Sequence, residues 1–590
     1  MITGSEPSRP GHIRHSADKG NKMDRFNLGA HSKTISTTSP AAQRWFDIGL
    51  NWCFAFNHEE GVKCFEEALK HDPDCVMAHW GAAFGAGPFY NNVWRQFSEE
   101  EADTCTRFAF GHIQQARAHA NTATDLENQL VDALAMRFQK PCAVSHDEFD
   151  RWDDDYANAM RRVYYNDKDD QDVAALFAEA LITRTPWRLW DVKRGVPAMN
   201  ADTLEALEVI ERSIAMRDTG EQQQHPAILH LHIHTTEMSS EPERAMCSAD
   251  LLGALCPDAG HINHMPGHTY VLCGEYEKAK IASENAIRAD QLFVDYAGPF
   301  NFYTTARAHD LHLMMYTCML LGQYAPALDA AEQLCATLSE EVLGVKGRPQ
   351  LAITMEGYYS MKMHVLVRFG RWQDIVDAPM PKNPELYCVS TTMHHYAKGV
   401  AYATLKNFDA ADDQRRHFYE SLDAIPEDRK FFNNAARATL LVGEMMLEGE
   451  LAYHKADYEH AFSCLRESVR RDDNLEYTEP WAWMHPPRHA LAALLLEQGY
   501  DEEAEDVYRT DLGLNNKLQR CSQHPDNVWS LHGLVECLHR RADSEELSYF
   551  QTKLNRALSL TDVPITSSCM CRGVSEITPA TDCCAPAFGE

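Results

Sequence analysis

Eight side chains that can bind a transition metal recur at helical spacing in the middle of this sequence. They are seven histidines and one glutamate: His230, His234, Glu237, His261, His264, His268, His309 and His312. Neighbours within each group are three or four residues apart, and this spacing places side chains on one face of an α-helix. His232 is two residues from both His230 and His234, so it must point elsewhere. The sequence therefore predicts three helices that direct imidazoles toward one place.

Imidazole-rich ligand sets favour zinc, copper, iron or nickel over magnesium or calcium, which prefer oxygen. We expect copper or iron, with zinc possible, and one or two ions, because one ion takes about four to six ligands. We expect Glu237 to ligate or to act as a general base, and Tyr270 to donate a proton. A histidine network held by hydrogen bonds alone is the alternative to a metal site. The expected ligands, in decreasing order, are the pairs His264 with His268 and His230 with His234, then His309 and His312, then His261.

The helices that carry these residues follow a repeat. Eight residues occupy positions 4, 7, 8, 11, 20, 24, 27 and 32 of a 34-residue unit that begins at Ala42: Trp45, Ile48, Gly49, Trp52, Gly61, Phe65, Ala68 and Pro73. This segment resembles a tetratricopeptide repeat. In such a repeat small residues of the two helices meet, and stacked units bury a continuous core. The sequence thus predicts an all-α fold, a tetratricopeptide-repeat helical solenoid that forms a superhelix.

Counted against the same repeat, the histidines fall at equivalent positions. Units that begin at Pro226, Gly260 and Ala308 place them at positions 2, 5 and 9 of the first helix, and Glu237 at position 12. The tetratricopeptide resemblance implies that these positions line a concave groove. Successive first helices pack about 8 to 10 Å apart, so their imidazoles can meet. Asp310 and Asn263 lie on adjacent faces, where they could hold the ligands in place.

The array is expected to occupy residues 26–561. Turns between paired helices are recognisable at Gly274, Gly322, Asn407 and Gly499, each followed by an aromatic residue and then an alanine. The stretch 103–200 is less regular, and Trp187, Trp190 and Pro197 suggest a capping or lid element. The segment 1–25 is expected to be disordered by composition, and 562–590 to be a flexible tail containing cysteines.

Composition limits the possible partners and location. The chain has 590 residues, with 55 Lys and Arg against 87 Asp and Glu, a formal charge of −32. This acid excess argues against nucleic acid and anionic membranes as partners. No apolar run approaches the roughly 18 residues of a membrane span, and the start of the chain lacks a secretory signal. We therefore expect a cytoplasmic protein.

Several landmarks are similar to a family of tetratricopeptide-repeat proteins found in bacteria and some fungi. They include Phe56-Asn57-His58-Glu59-Glu60, His230-x-x-x-His234-x-x-Glu237, His264-Met265-Pro266-x-His268-x-Tyr270, His309-x-Leu311-His312 and Asn527-x-Trp529-Ser530. The resemblance covers residues 26 to 540 and implies a helical-repeat fold with a histidine-rich core. It carries no assigned reaction. The chain departs from the family at Met484-His485-Pro486 and in its cysteine-containing tail.

Three functions are compatible with the sequence. The leading hypothesis is a metal-dependent enzyme whose copper or iron centre in the groove oxidises a small organic substrate with dioxygen. A zinc ion would instead give a hydrolase with Glu237 as base. The third possibility is a scaffold that binds a peptide or protein partner in the groove, as repeat arrays commonly do. A peptide-carboxylate clamp would use Lys, Arg and Asn, whereas these units offer His and Glu.

Overall fold

The computed structural model describes residues 26–218, 224–345, 349–542 and 544–572. Within these ranges the chain is all α apart from two short hairpins and one isolated β-bridge. Segment 1–25 and the Cys583–Cys584 pair of the predicted tail lie outside the described residues. None of the helices so described combines the length and the apolar character needed to cross a membrane.

The helices are α1 (Pro40–Phe54), α2 (His58–His71), α3 (Val76–Ala86), α4 (Glu99–Ala118), α5 (Asp125–Leu134), α6 (His146–Asn166), α7 (Gln171–Ile182), α8 (Thr203–Asp218), α9 (Pro226–Thr236), α10 (Met246–Leu252), α11 (Gly260–Leu272), α12 (Tyr276–Ala297), α13 (Thr304–Leu321), α14 (Tyr324–Thr337), α15 (Glu340–Leu343), α16 (Pro349–Met355), α17 (Met361–Arg368), α18 (Trp372–Asp377), α19 (Cys388–Thr404), α20 (Phe408–Asp423), α21 (Ala436–His454), α22 (Tyr458–Asp472), α23 (Pro487–Glu497), α24 (Asp501–Asp511), α25 (Val528–Arg541) and α26 (Ser544–Leu558). Short 3-10 helices lie at Trp94–Gln96, Ala120–Thr122, Pro242–Ala245, Glu356–Ser360 and Arg520–Ser522. The hairpins pair β1 (Trp190–Asp191) with β2 (Val196–Pro197), and β3 (Lys430–Phe431) with β4 (Asn434–Ala435).

Consecutive helices pack against each other in antiparallel pairs, which confirms the predicted solenoid. The first pair, α1 and α2, matches the repeat unit that begins at Ala42. Ser39 caps the start of α1, and the side chain of Asn57 accepts the backbone N–H of Glu60 at the start of α2. A Cβ atom on Gly61 would lie 3.0 Å from the carbonyl oxygen of Gly49. These two glycines therefore let the helices approach closely, as the repeat signature predicts.

The turns between paired helices lie where the sequence predicts them. Gly274, Gly322 and Gly499 adopt positive φ angles of 76°, 72° and 80° between the helices of three later pairs. At the fourth turn Lys406 takes the positive φ, and the next residue, Asn407, caps α20 with its side chain. Left-handed residues at these positions end one helix and let the chain reverse into the next. The histidine-bearing helices α9, α11 and α13 begin the units predicted at Pro226, Gly260 and Ala308.

Residues far apart in sequence close the superhelix on itself. The backbone N–H of Asn27 donates to Asp258 at 2.7 Å, and the hydroxyl of Tyr296 donates to Glu60 at 2.8 Å. The indole of Trp529 donates to the carbonyl of Met319 at 2.6 Å. The inner faces of the first helices are consequently covered by other parts of the chain. The side chains that the sequence places in an open concave groove are buried in the protein interior.

Irregular segments supply part of this cover. The β1–β2 hairpin lies in the predicted lid segment, and the indole of Trp190 donates to the carbonyl of Thr235 in α9 at 2.7 Å. Residues 562–572 contact α17, α23 and α24: the hydroxyl of Ser568 donates to the His489 carbonyl at 3.0 Å and lies 2.5 Å from the hydroxyl of Tyr508. Cys569 and Cys571 form a disulfide in this segment.

Two glycine-to-alanine substitutions are expected to shift stability in opposite directions. Gly61→Ala adds a Cβ 2.5 Å from the sulfur of Cys53, so we expect it to destabilise the protein by about 1 to 3 kcal/mol. Gly111→Ala lies on an exposed face of α4 with no atom within 4 Å of the new Cβ, and should stabilise by up to about 1 kcal/mol. Thermal unfolding followed by circular dichroism tests both. Equal shifts would contradict the close contact of α1 with α2.

Candidate metal centre

Six of the seven predicted histidines form two clusters in the interior. In each cluster one nitrogen from every ring lies within 4.8 Å of the others. The first cluster, here called triad 1, is His230, His234 and His261; the second, triad 2, is His264, His268 and His309. Helix α9 supplies two members of triad 1, and α11 contributes to both triads. Rings of the two triads approach to a centroid distance of 5.9 Å between His261 and His264.

In triad 1 the outward ring nitrogens are held by acceptors. His230 Nδ1 lies 2.9 Å from the carbonyl oxygen of Phe54, and His234 Nδ1 lies 2.9 Å from Glu237 Oε1. The Phe54 carbonyl can only accept, so His230 carries its proton on Nδ1 and its lone pair on Nε2, and an ionised Glu237 fixes His234 in the same way. His230 Nε2 faces His261 Nε2 at 3.1 Å, and His234 Nε2 is buried without a hydrogen-bond partner.

Triad 2 repeats this arrangement in part. His268 Nδ1 lies 2.6 Å from Glu237 Oε2, and His264 Nδ1 lies 3.1 Å from Asp310 Oδ1. Their Nε2 atoms face each other at 2.6 Å. His309 completes the triad with its ring centroid 4.4 Å from that of His264, and its Nδ1 is buried without a hydrogen-bond partner. In triad 2 only His268 therefore has its Nδ1 held by a hydrogen bond, because none joins His264 Nδ1 to Asp310.

Two Nε2 atoms at these distances need either a proton on one ring or a cation between the two rings. Burial lowers the pKa of His264, His261 and His234 well below the usual value, and that of His230 to about 3, so the rings are neutral and such a proton must be the single proton of a neutral ring, carried on Nε2. Ligands at about 2.1 Å from a metal lie about 3.0 to 3.4 Å from each other. The 3.1 Å separation in triad 1 fits this range. The two Nε2 atoms of triad 2 are closer together than this range, and a bound cation would increase their separation.

Glu237 joins the two triads. Its two carboxylate oxygens accept Nδ1–H groups from His234 and from His268, and its side chain is fully buried. Carboxylates that orient metal-bound imidazoles in this way fix the ring tautomer and raise ligand basicity. The sequence predicts Glu237 as a ligand or a base, and Glu237 also belongs with His234, His268 and Glu479 to a third group of buried ligand atoms within 4.8 Å of one another. The contacts of its two oxygens with Nδ1 atoms add a second possible role, that of holding two ligands.

The structure adds a residue that sequence spacing does not indicate. Glu479, from the loop before α23, lies with its Oε2 3.7 Å from His268 Nδ1, and a carboxylate oxygen of Glu479 lies within 4.8 Å of one of Glu237. Burial raises the pKa of Glu237 and of Glu479 well above the usual value. The neighbouring Asp310 is likewise buried, and burial raises its pKa too. A region with several buried carboxyl groups is suited to a bound cation, which would compensate their charge.

Aromatic side chains cover the triads. Phe56, from the turn between α1 and α2, stacks on His234 and His261 with centroid distances of 5.6 and 5.2 Å. Tyr90 lies 4.6 Å from the His234 ring, and Phe432 lies 5.7 Å from the His309 ring. Trp187, predicted as part of a lid, packs between Tyr90 and Phe432. This shell keeps bulk water away and strengthens electrostatic interactions inside it.

Several predicted residues lie elsewhere. His312 is buried against Tyr358, at a centroid distance of 4.8 Å, and belongs to neither triad. Tyr270 points away from the triads, because its hydroxyl donates to Asp250 at 2.7 Å at a partly exposed site. Asn263 donates to the carbonyls of Cys256, Pro257 and Ala259. His232 points away as predicted and lies 2.8 Å from the hydroxyl of Ser248.

A small cavity adjoins triad 1. It is lined by residues that include Phe54, Phe56 and His230, and its volume is about 10 Å³. A cavity of that size holds about one water molecule. Reactants comparable in size to water or dioxygen fit there without rearrangement of the aromatic shell.

No protein-family model and no curated protein matches this sequence. Among solved structures the chain is similar to human IFIT1, described as a dimer with m7Gppp-AAAA, at 10% identity over 89% of this chain and 91% of that one, with a TM-score of 0.29. It is also similar to yeast Tom70, at 11% identity over 86% and 91%, with a TM-score of 0.24. The Cut9–Hcn1 complex gives 10% identity over 89% and 94%, with a TM-score of 0.25. Likenesses this distant carry no information about function.

Proposed function

We propose that this protein is a copper-dependent oxidoreductase with a dinuclear histidine centre, which oxidises a small organic substrate with dioxygen. The main support is that the two triads share no residue and that each brings three buried imidazole nitrogens within 4.8 Å of one another. Iron is the second choice of metal. The proposal concerns residues of α9, α11 and α13 that the repeat fold brings together.

The chemistry of the ligands favours copper. Imidazole suits zinc, copper, iron and nickel, and copper binds most tightly among the divalent ions at a given nitrogen site. Neither triad contains a cysteine or a carboxylate ligand. A pair of copper ions held there would exchange two electrons with dioxygen and with the organic group that is oxidised.

The protein's own residues orient the ligands and hold protons. Glu237 and the Phe54 carbonyl fix the rings of triad 1, and Glu237 also fixes His268 of triad 2. Burial raises the pKa of both Glu237 and Glu479, which favours a proton on one of these two neighbouring carboxyl groups. That proton lies beside His268, where an oxidation that releases or consumes protons needs one.

The same geometry argues against the two alternatives. A zinc hydrolase of the predicted kind needs Glu237 as a free base, but both of its oxygens accept N–H groups. A peptide-binding groove needs accessible side chains, but the six triad histidines are between 0% and 7% exposed. Both alternatives remain as distinct outcomes of the experiments below.

Metal content should depend on the triads and not on every buried histidine. We expect wild-type protein purified without chelators to hold two copper ions per chain, and His264→Ala to lose the ion of triad 2. His312→Ala removes a buried imidazole outside both triads and should retain two ions. Elemental analysis by mass spectrometry measures the metal content. Protein free of metal, or equal loss in both variants, would refute the assignment of the ligands.

The orienting role of Glu237 can be tested with an amide. In Glu237→Gln one oxygen still accepts an N–H, but the amide NH₂ faces the other Nδ1–H, so we expect copper affinity to fall by about 10- to 100-fold. The control is Glu450→Gln, since burial raises the pKa of Glu450 to about 8 and this carboxyl is already neutral at pH 7. Competition with a chromophoric copper chelator measures the affinity. Equal effects of the two substitutions would contradict the role.

Oxygen chemistry distinguishes the proposal from a hydrolase or a scaffold. With ascorbate as reductant, the copper-loaded chain should consume dioxygen faster than the same concentration of free copper, and the His264→Ala variant should lose most of this activity because it lacks triad 2. An oxygen electrode follows the reaction. Stoichiometric zinc without oxygen uptake would favour the hydrolase, and a chain that binds no metal would favour the scaffold.

A further inference from the structure

A second set of metal-binding side chains lies away from the triads, at the wall of a large cavity. His31 belongs to the extended segment before α1, Asp172 to the first turn of α7, and His225 immediately precedes α9. The cavity has a volume of about 850 Å³, and all three residues line it. Three segments that are distant in sequence therefore bring two imidazoles and a carboxylate to the wall of one cavity.

The ligand atoms of this set converge on one point. His31 Nε2 lies 2.9 Å from Asp172 Oδ1, and His225 Nε2 lies 3.2 Å from the same oxygen. Adjacent ligands of an octahedral ion at about 2.1 Å lie about 3.0 Å apart, so these two nitrogen–oxygen separations match two edges of such a site, and the two imidazole nitrogens lie within 4.8 Å of each other. The backbone N–H of Ile228 donates to His225 Nδ1 over a long 3.4 Å. A cation bound at His225 Nε2 requires the ring proton on Nδ1, and the weak hydrogen bond from Ile228 would then break.

A second His–Asp–His set in the same protein shows what a purely structural arrangement looks like. Asp511 receives His489 Nε2 on Oδ2 at 3.0 Å and His524 Nδ1 on its other oxygen at 2.8 Å. Asn527 and Ser530 also donate to Asp511 Oδ2, and this carboxylate is fully buried. Its partners thus approach from separate directions and complete its hydrogen bonding. At Asp172 the two imidazoles approach one oxygen, beside an open cavity.

Charge around the cavity favours a cation. Asp169 and Asp170 line it together with Asp172, against one lysine, Lys33. The ammonium group of Lys33 lies 2.7 Å from Asp170 and 3.4 Å from Asp172 Oδ2. The oxygen that faces the two imidazoles is Oδ1, on which Lys33 makes no ion pair. Asp169 also pairs with Arg212 at 2.8 Å, so three carboxylates lie near two cationic side chains and the local charge is negative.

We infer that His31, Asp172 and His225 form a second divalent-cation site, in which two imidazoles and one carboxylate bind Fe²⁺ or Mn²⁺ and leave coordination positions open to the cavity. Two histidines and one carboxylate on one face of the ion are typical of iron sites with room for further ligands. The open positions accept water or a small ligand with oxygen donors. This inference does not depend on the proposed copper centre, since the two sites share no ligand.

Manganese binding tests the site directly. Among the divalent first-row metals Mn²⁺ has the lowest affinity for nitrogen ligands. It should therefore bind a site with an oxygen ligand in preference to the buried triads. Titration of the full-length protein with Mn²⁺, followed by electron paramagnetic resonance of the free ion, should saturate at one ion per chain. Enhanced relaxation of solvent water by the bound ion should show open positions. Absence of saturable binding to the wild-type protein would overturn the inference.

Substitutions locate the bound ion. Asp172→Asn and His31→Ala should each weaken Mn²⁺ binding by more than about tenfold, whereas His264→Ala in triad 2 should leave it unchanged. Lys33→Ala removes a positive charge near Asp172 and should tighten binding by about threefold. Unfolding cannot tighten Mn²⁺ binding, so the Lys33→Ala variant still tests the site if the other two variants are unstable. Binding that none of the substitutions at residues 31, 33 and 172 alters would place the ion elsewhere and overturn the inference.

Discussion

An imidazole buried away from water must remain neutral and must find a partner for each ring nitrogen, and this requirement governs the interior of the protein. At His230, His234 and His268 a carbonyl or carboxylate lies on Nδ1. The ring nitrogens of the triads left without a partner are His234 Nε2, His264 Nδ1 and His309 Nδ1. Glu237 is central because one carboxylate serves both triads. Its own burial is costly without positive charge nearby, and bound cations would supply that charge.

Closure of the superhelix creates this environment. In an open repeat array the inner faces of the first helices would be wetted, and histidines there would hydrogen-bond to water. Here Phe56, Trp187 and Phe432 come from three distant segments and cover those faces. Because these aromatic side chains cover the inner faces, the chain has a closed interior with a cavity of about 10 Å³ beside His230, and not an open groove large enough for a peptide. Small reactants, and not extended chains, suit such a site.

The sequence predicts what depends on helical and repeat periodicity. Spacing places six triad histidines on the inner faces of α9, α11 and α13, and turn residues such as Gly274 mark the helix pairs. It cannot predict Glu479 or the Phe54 carbonyl, because their approach depends on how distant units close. His312 shares the spacing of a ligand, yet it lies one turn farther along α13 and faces Tyr358. Periodicity therefore specifies a face of a helix but not how far along it a site extends.

Phe54 connects the two candidate metal sites. Its carbonyl binds His230 of triad 1, while its ring lies 5.7 Å from the His31 ring and 5.3 Å from the His225 ring. Helix α9 starts at Pro226, directly after His225, and carries His230 in its next turn. A movement of His225 toward a bound cation would act on the side chain of Phe54 and on the first turn of α9 together. Both of these lie next to His230, so the site at the cavity wall and the buried centre are in contact through Phe54 and α9 although they have no ligand in common.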